Sequence, residues 1–206
     1  MTNNDTLNWY RENAEEFIAR TETVDMSALY DAFLSHVPAG GHVMDLGCGA
    51  GNAALHFSKK GYDVLAVDGC PELCEHTRRR VGCPVRVLRF DELDYENAFD
   101  GVWACASLLH LRMSELPRVL RLIRRSLKSG GVFYASFKHG ETERDKNGRV
   151  FSDMTEDSLR RLIVEAGGFR DISLWTTGDA RPDRADEKWV NLLCYAGEHV
   201  EILRRM

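Results

Sequence analysis

The sequence predicts an α/β fold in which a mainly parallel sheet carries helices on both faces. Three observations lead there. Short apolar runs near 42–46, 63–67, 85–90, 100–105 and 131–136 alternate with helical patterns near 51–60, 71–81 and 114–128. A glycine-rich turn, Asp45-Leu46-Gly47-Cys48-Gly49-Ala50-Gly51, joins the first run to the first of those helices. The last two runs, 169–176 and 189–196, follow one another with only a polar connection between them, so they pair antiparallel.

Each element has a local cause. Leu7 to Val37 reads as two helices, one burying Trp9, Tyr10, Ala14, Phe17 and Ile18, the other Met26, Leu29, Tyr30 and Phe33. Pro71 suits the first turn of its helix. In the 114–128 helix, Leu116, Val119, Leu120, Ile123 and Leu127 recur at helical spacing, while Arg118, Arg121, Arg124, Arg125 and Lys128 cover the other side. Lys128-Ser129-Gly130-Gly131 then stops the helix and opens the next strand. Thr155 reads as an N-cap for a helix that buries Leu159, Leu162, Ile163 and Ala166 and ends at Gly167-Gly168. Between them, Lys138 to Val150 reads as a charged loop that, like the N-terminal helices, can reach the carboxyl ends of the strands as a lid or substrate-recognition part.

Bulk properties narrow the classes. A chain of 206 residues, 44% apolar and 29% charged, fits one domain with a substantial core. The net charge of −5 argues against a nucleic-acid partner, whose binding rests on a basic surface. No apolar stretch reaches transmembrane length, and the polar opening from Met1 to Asn8 is unlike an export signal. Six cysteines without a C-x-x-C pair fit a reducing cytoplasm better than a disulfide framework. Cys70, Cys74 and His76 lack a fourth ligand, and no metal site is expected.

The glycine loop carries the chemistry. A turn without side chains lets a ligand touch backbone. A dinucleotide loop places its third glycine where this chain has Asn52, with Gly51 one residue early. An acid just before the loop disfavours a phosphate and suits an amino group. The second run ends in Asp68, about 20 residues past the glycines, where a carboxylate can accept from both hydroxyls of one ribose. The third ends in Asp91-Glu92, and the fourth is Phe99-Asp100-Gly101-Val102-Trp103-Ala104-Cys105-Ala106-Ser107-Leu108-Leu109-His110.

D-x-G-x-G-x-G followed by these acids resembles class I S-adenosylmethionine-dependent methyltransferases, from about residue 9 to about 196. Within them it resembles the compact bacterial group related to tellurite-resistance methyltransferases. The resemblance implies a Rossmann-like seven-stranded sheet of order 3-2-1-4-5-7-6 with the last strand antiparallel. It implies one methyltransferase domain over 1–206, with 1–38 as a helical lid. Asp45 would face the methionine ammonium, Gly47 and Gly49 would allow close approach, and Asp68 with Gly69 would hold the ribose. Asp91 and Glu92 would border adenine, and Cys105 with Ala106 would supply backbone near the ammonium. Tyr10 and Arg20 would close over the cofactor, Arg20 on its carboxylate.

His110, just past the fourth strand, is the candidate base or substrate ligand. Displacement at a sulfonium methyl rests mainly on holding nucleophile and methyl in line, so a base is optional. The expected reaction is methylation of a small molecule by a cytoplasmic monomer or homodimer, without nucleic acid or membrane. The other readings are methylation of a protein or tRNA, a cofactor-binding regulator without catalysis, and a nicotinamide-dependent oxidoreductase, the last disfavoured by Gly51 and Asn52.

Overall fold

The computed structural model describes residues 4–181, 184 and 186–197. Seven strands form one sheet in the order β3-β2-β1-β4-β5-β9-β8. These are β1 (His42–Leu46), β2 (Asp63–Asp68), β3 (Val85–Val87), β4 (Phe99–Ala104), β5 (Leu127–Lys138), β8 (Phe169–Gly178) and β9 (Lys188–Ala196). A separate hairpin pairs β6 (Glu143–Lys146) with β7 (Arg149–Ser152). Strands β3, β2, β1, β4 and β5 run parallel to their neighbours, and β9 is antiparallel to both β5 and β8. Once the hairpin strands are set aside, this is the expected order.

Helices cover both faces. Leu116, Val119, Leu120 and Ile123 of α6 (Leu116–Ser126) and Leu159 and Ile163 of α7 (Glu156–Ala166) share a core with Val102, Phe133 and Val190. On the other face, Tyr30, Phe33 and Leu34 of α3 (Ser27–Leu34) and Ala54 and Phe57 of α4 (Asn52–Lys59) pack on Trp103 and Tyr134. The latter two rings stack with centroids 3.9 Å apart. Fully burying each such side chain contributes about 1.5–3 kcal/mol, which fixes the sheet and the strand ends that carry the site. Thr155 caps α7 as expected, its hydroxyl accepting from the Ser158 N–H.

Several boundaries differ from the sequence reading. The N-terminal segment holds three helices, α1 (Asn4–Glu12), α2 (Ala14–Thr21) and α3, because the chain breaks at Asn13, whose amide side chain donates to the Trp9 carbonyl. Strand β3 stops at Val87, and Phe90–Glu92 forms a 3-10 turn. Helix α6 ends at Ser126, and β5 begins at once, with an irregular register between Phe99 and Gly101. The expected charged loop 138–150 holds β6 and the start of β7. Asn147 and Gly148, both at positive φ, form its two-residue turn, the Asn-Gly pair that such hairpins favour. No helix among the described residues is long and apolar enough to cross a membrane.

Candidate cofactor and acceptor site

The strand order reverses between β1 and β4, and ligands of open α/β sheets bind outside the carboxyl ends at that point. A cavity lies there, enclosing about 700 Å³ of non-atom space with its open mouth included. That size is within the range of small-molecule sites. Its floor is Gly47, Gly49, Asp68 and Gly69; Leu73, Arg89 and Phe90 line one side; Ala106, Ser107, His110 and Leu111 line another. Thr6, Leu7, Tyr10 and Phe17 of the first two helices complete it.

The glycine loop is set by backbone and by packing. Gly47 and Cys48 donate their N–H groups to the Val67 carbonyl, which pins the turn on β2. Gly47 stands at φ 82°, and a Cβ there would come within 2.4 Å of the Ser107 Cβ. Gly49, at φ 53°, has the Phe17 ring of α2 within 3.2 Å of where its Cβ would be. Asn52 is bound on two sides, donating to the Thr21 carbonyl and accepting from Arg80, which also donates to the Ala50 carbonyl. A glycine there would cut the loop from α2 and remove one of its links to α5 (Pro71–Arg80), those from Arg80 to Ala50 and from Thr77 to Gly49 remaining.

Asp68 accepts from the Gly49 N–H at 3.0 Å and from the Cys70 N–H at 2.9 Å. Burial pushes its carboxyl above the usual range, against the pull of these amides and of Gly69. Each oxygen keeps a second lone pair for a ligand hydroxyl. Asp45 lies beneath the loop instead of on the cavity wall. Its carboxylate accepts from the Ala54 N–H at 3.0 Å in the first turn of α4, and burial raises it to about 7. It holds the helix end that backs the glycines.

Across the cavity, β4 leads into Ala106 at φ 51°, a left-handed conformation that costs a residue with a side chain about 1 kcal/mol or more. Its N–H donates to Ser136 Oγ at 2.9 Å, and Ser107 Oγ donates to the Leu46 carbonyl at 2.8 Å. The turn therefore joins β4 to both β5 and β1. His110 follows with both ring nitrogens engaged. Nδ1 is 2.8 Å from the Val150 carbonyl and Nε2 is 2.8 Å from the Tyr10 hydroxyl. A carbonyl can only accept, so Nδ1 carries the proton and Nε2 accepts from Tyr10. Burial lowers His110 to about 4, helped by the charges of Arg149 and Lys138. Burial raises the Tyr10 phenol to about 12.

The segment expected as a charged loop reaching this edge is instead the β6–β7 hairpin, and it organises this end of the site. The Val150 N–H donates to Thr6 Oγ1 of α1, while the Val150 carbonyl takes His110. Arg112 holds the far strand through Glu143 and Asp145. The first helix, the hairpin and the exit of β4 thus converge on the backbone of one residue, Val150.

The structure brings Tyr10, Gly47, Gly49, Asp68, Gly69, Ala106 and His110 of the expected set around one cavity. Other members lie off its wall. Arg20 sits on the exposed side of α2 and pairs with Glu16 one helical turn back. Asp91 pairs with Arg89, and Glu92 turns back to accept the Arg89 N–H, so this turn offers Arg89 and Phe90 to the cavity instead of its acids. The Cys105 thiol is turned toward Ser136. The apolar residues Leu7, Phe17, Leu73 and Phe90 were missed as site residues, because an apolar residue on a helix or strand carries the same sequence signal whether it faces core or cavity.

Three residues test whether this pocket fits the donor that the sequence implies. Gly47 and Gly49 present bare backbone at positions where no Cβ fits, and Asp68 is a partly buried acceptor beside them on the floor. Backbone, carboxylate and aromatic walls of this kind suit an adenosyl group.

Comparison with known proteins agrees. A protein family described as a methyltransferase domain matches residues 43–131. A protein of Bacillus subtilis (strain 168) that bears the name "Putative methyltransferase YqeM" is 25% identical over 86% of this chain and 83% of its own length. Magnesium-protoporphyrin O-methyltransferase of Rhodobacter capsulatus is 33% identical over 48% of each chain. Among solved structures, Burkholderia thailandensis 1,6-didemethyltoxoflavin-N1-methyltransferase, with 1,6-didemethyltoxoflavin and S-adenosylhomocysteine bound, superposes with a TM-score of 0.78 at 21% identity. That match covers 93% of this chain and 87% of the other.

Proposed function

We propose that this chain, a class I S-adenosylmethionine-dependent methyltransferase, delivers its methyl group to a small-molecule acceptor bound under the N-terminal helices. The observation that carries this reading is the roofed cavity, in which Thr6, Leu7, Tyr10 and Phe17 stand over the glycine loop and Asp68. A wall of that kind encloses a metabolite and leaves little open surface at the reacting end for a macromolecule. Specific protein interfaces need about 800 Å² on each side.

When bound, the donor supplies an electrophilic methyl on a sulfonium. In this reading, Gly47 and Gly49 take its amino-acid end against backbone, Asp68 and Gly69 take the ribose, and Leu73 and Phe90 take adenine. Residues 4–21 form the lid. His110 acts through Tyr10: a neutral imidazole with both nitrogens engaged is a weak base near neutral pH but a firm anchor for the phenol. The protein then contributes alignment and exclusion of water, worth about 7–11 kcal/mol in favourable systems.

The test incubates the full chain and a methyl-labelled donor with cell lysate divided by size filtration. Label in the small-molecule fraction supports the reading. Label confined to protein or RNA refutes it and turns attention to the arginines of α6.

A further inference from the structure

Phe151 of β7 is ringed by cations. Lys138 Nζ lies 5.7 Å from its centroid, and the guanidinium carbons of Arg144 and Arg149 lie 5.4 and 5.1 Å away. Two of these charges are neutralised locally: Lys138 pairs with Glu187, and Arg144 with Asp153. Arg149 has no carboxylate partner among the described residues. Its guanidinium is stacked 3.7 Å from the Trp9 ring centre and 5.9 Å from that of Tyr10. Its Nε is shut away from solvent without a hydrogen-bond partner, while the residue as a whole is only partly buried.

An arginine in this state is unusual. Placing a guanidinium where one donor has lost water and gained no acceptor costs free energy that a plain surface arginine does not incur. Stacking on Trp9 holds the group flat, which leaves its in-plane donors arranged for a two-oxygen partner. Its position is what gives this meaning. Tyr10 and His110 both line the cavity, both feel the Arg149 charge, and the Phe151 ring stands 5.0 Å from that of His110. The uncompensated charge therefore stands directly behind the Tyr10 and His110 side chains that line the cavity, one residue back from its wall.

We propose that Arg149, on its Trp9 and Phe151 platform, is an oxyanion-recognition residue for the methyl acceptor, which carries a carboxylate or a phosphate group. This rests on the methyltransferase reading and extends it from a small acceptor to an anionic one. Lys138 adds to the local positive potential without being the docking group, since Glu187 already holds it. Charge-assisted contacts to a forked guanidinium are stronger than neutral ones and discriminate sharply against an uncharged isostere.

The experiment loads the full chain with saturating S-adenosylhomocysteine. It then titrates benzoate, phenyl phosphate and the neutral benzamide by calorimetry, with Arg149→Gln and Arg149→Lys alongside. At least one anion should bind at least tenfold more tightly than benzamide, and whichever binds identifies the oxyanion. R149Q should lose that preference and keep its affinity for S-adenosylhomocysteine within about twofold; R149K, which retains charge without the fork, should fall between. The proposal is overturned if neither anion binds, if benzamide binds as well as both, or if R149Q binds the preferred anion like the parent. Failure of the parent to bind S-adenosylhomocysteine would be a different result, one against the cofactor reading itself.

Discussion

The Tyr10 hydroxyl and His110 Nε2 stand 2.8 Å apart, joining the first helix of the chain to the exit of the fourth strand. The imidazole is fixed from behind by the Val150 carbonyl, so the pair is a rigid strut. The first helix is thus latched by the same histidine that sequence position marks as the candidate base.

Tyr10→Phe removes the latch with little change of shape and leaves a buried imidazole nitrogen without its donor, a loss of about 1–3 kcal/mol. Part of that will appear as lid opening. S-adenosylhomocysteine affinity should fall about five- to thirtyfold, and amide exchange over residues 4–21 should rise. Equal exchange in parent and variant would show that the hydroxyl does not hold the lid.

Two groups near the glycine loop and the β4 exit, His110 and Asp45, pull the pH dependence of stability in opposite directions. His110, at about 4 when folded against an ordinary 6.5, binds fewer protons folded than unfolded between those values. It therefore favours the fold fully above 6.5, and that contribution is lost as pH falls toward 4, at most about 3 kcal/mol. Asp45, raised from 3.8 to about 7, binds more protons in the folded state and disfavours the fold as pH rises through that interval. The two partly cancel in the parent. In His110→Gln the opposing His110 contribution is gone while those of the carboxylates stay, so between pH 4 and 6.5 its stability should rise less, or fall more, with pH than the parent's. Chemical denaturation at four pH values decides it, and parallel curves would refute the assignment.

Much of the fold was legible because it rests on periodicity. The stripe Leu116, Val119, Leu120, Ile123 predicts α6 whatever it packs against, and the glycine loop with Asp68 follows from spacing alone. The acids at 91 and 92 and Arg20 lie off the cavity wall for a shared physical reason. A charged side chain near a site satisfies itself on the nearest opposite charge or amide, and sequence does not show that Arg89 or Glu16 stands within reach. The hairpin did have a signal, Asn147-Gly148, hidden in a stretch dominated by charges. Its importance came from Val150, an apolar residue that acts through its peptide group and so carries no side-chain signature.

Gly47→Ala meets two obstacles at once, a left-handed φ of 82° and a Ser107 Cβ at 2.4 Å. The backbone alone costs about 1–2 kcal/mol, and the contact adds to it. The variant should lose at least about 2 kcal/mol of stability and all measurable S-adenosylhomocysteine binding. Adding Ser107→Gly should recover part of the stability but not the binding, because the loop itself stays displaced. Full recovery of both would mean that the serine contact, and not the backbone conformation, explains the glycine.

Asp68→Asn separates ligand recognition from loop support. The amide keeps one acceptor oxygen and replaces the other with a donor. One of the two bonds, from the Gly49 N–H or the Cys70 N–H, must then break, and one ribose acceptor disappears. Hydrogen bonds to a charged group contribute about 1.5–3 kcal/mol, so affinity for S-adenosylhomocysteine should drop about ten- to a hundredfold. Stability in the absence of ligand should fall by a smaller amount, since burial already disfavours the parent's charge. Comparing the full ligand with its fragments sharpens the test. The variant should bind adenosine as poorly, relative to the parent, as it binds S-adenosylhomocysteine, because both carry the ribose. It should bind 2′,3′-dideoxyadenosine as well as the parent does. A variant that discriminates equally against all three would place the defect in the glycine loop and remove Asp68 from the ribose.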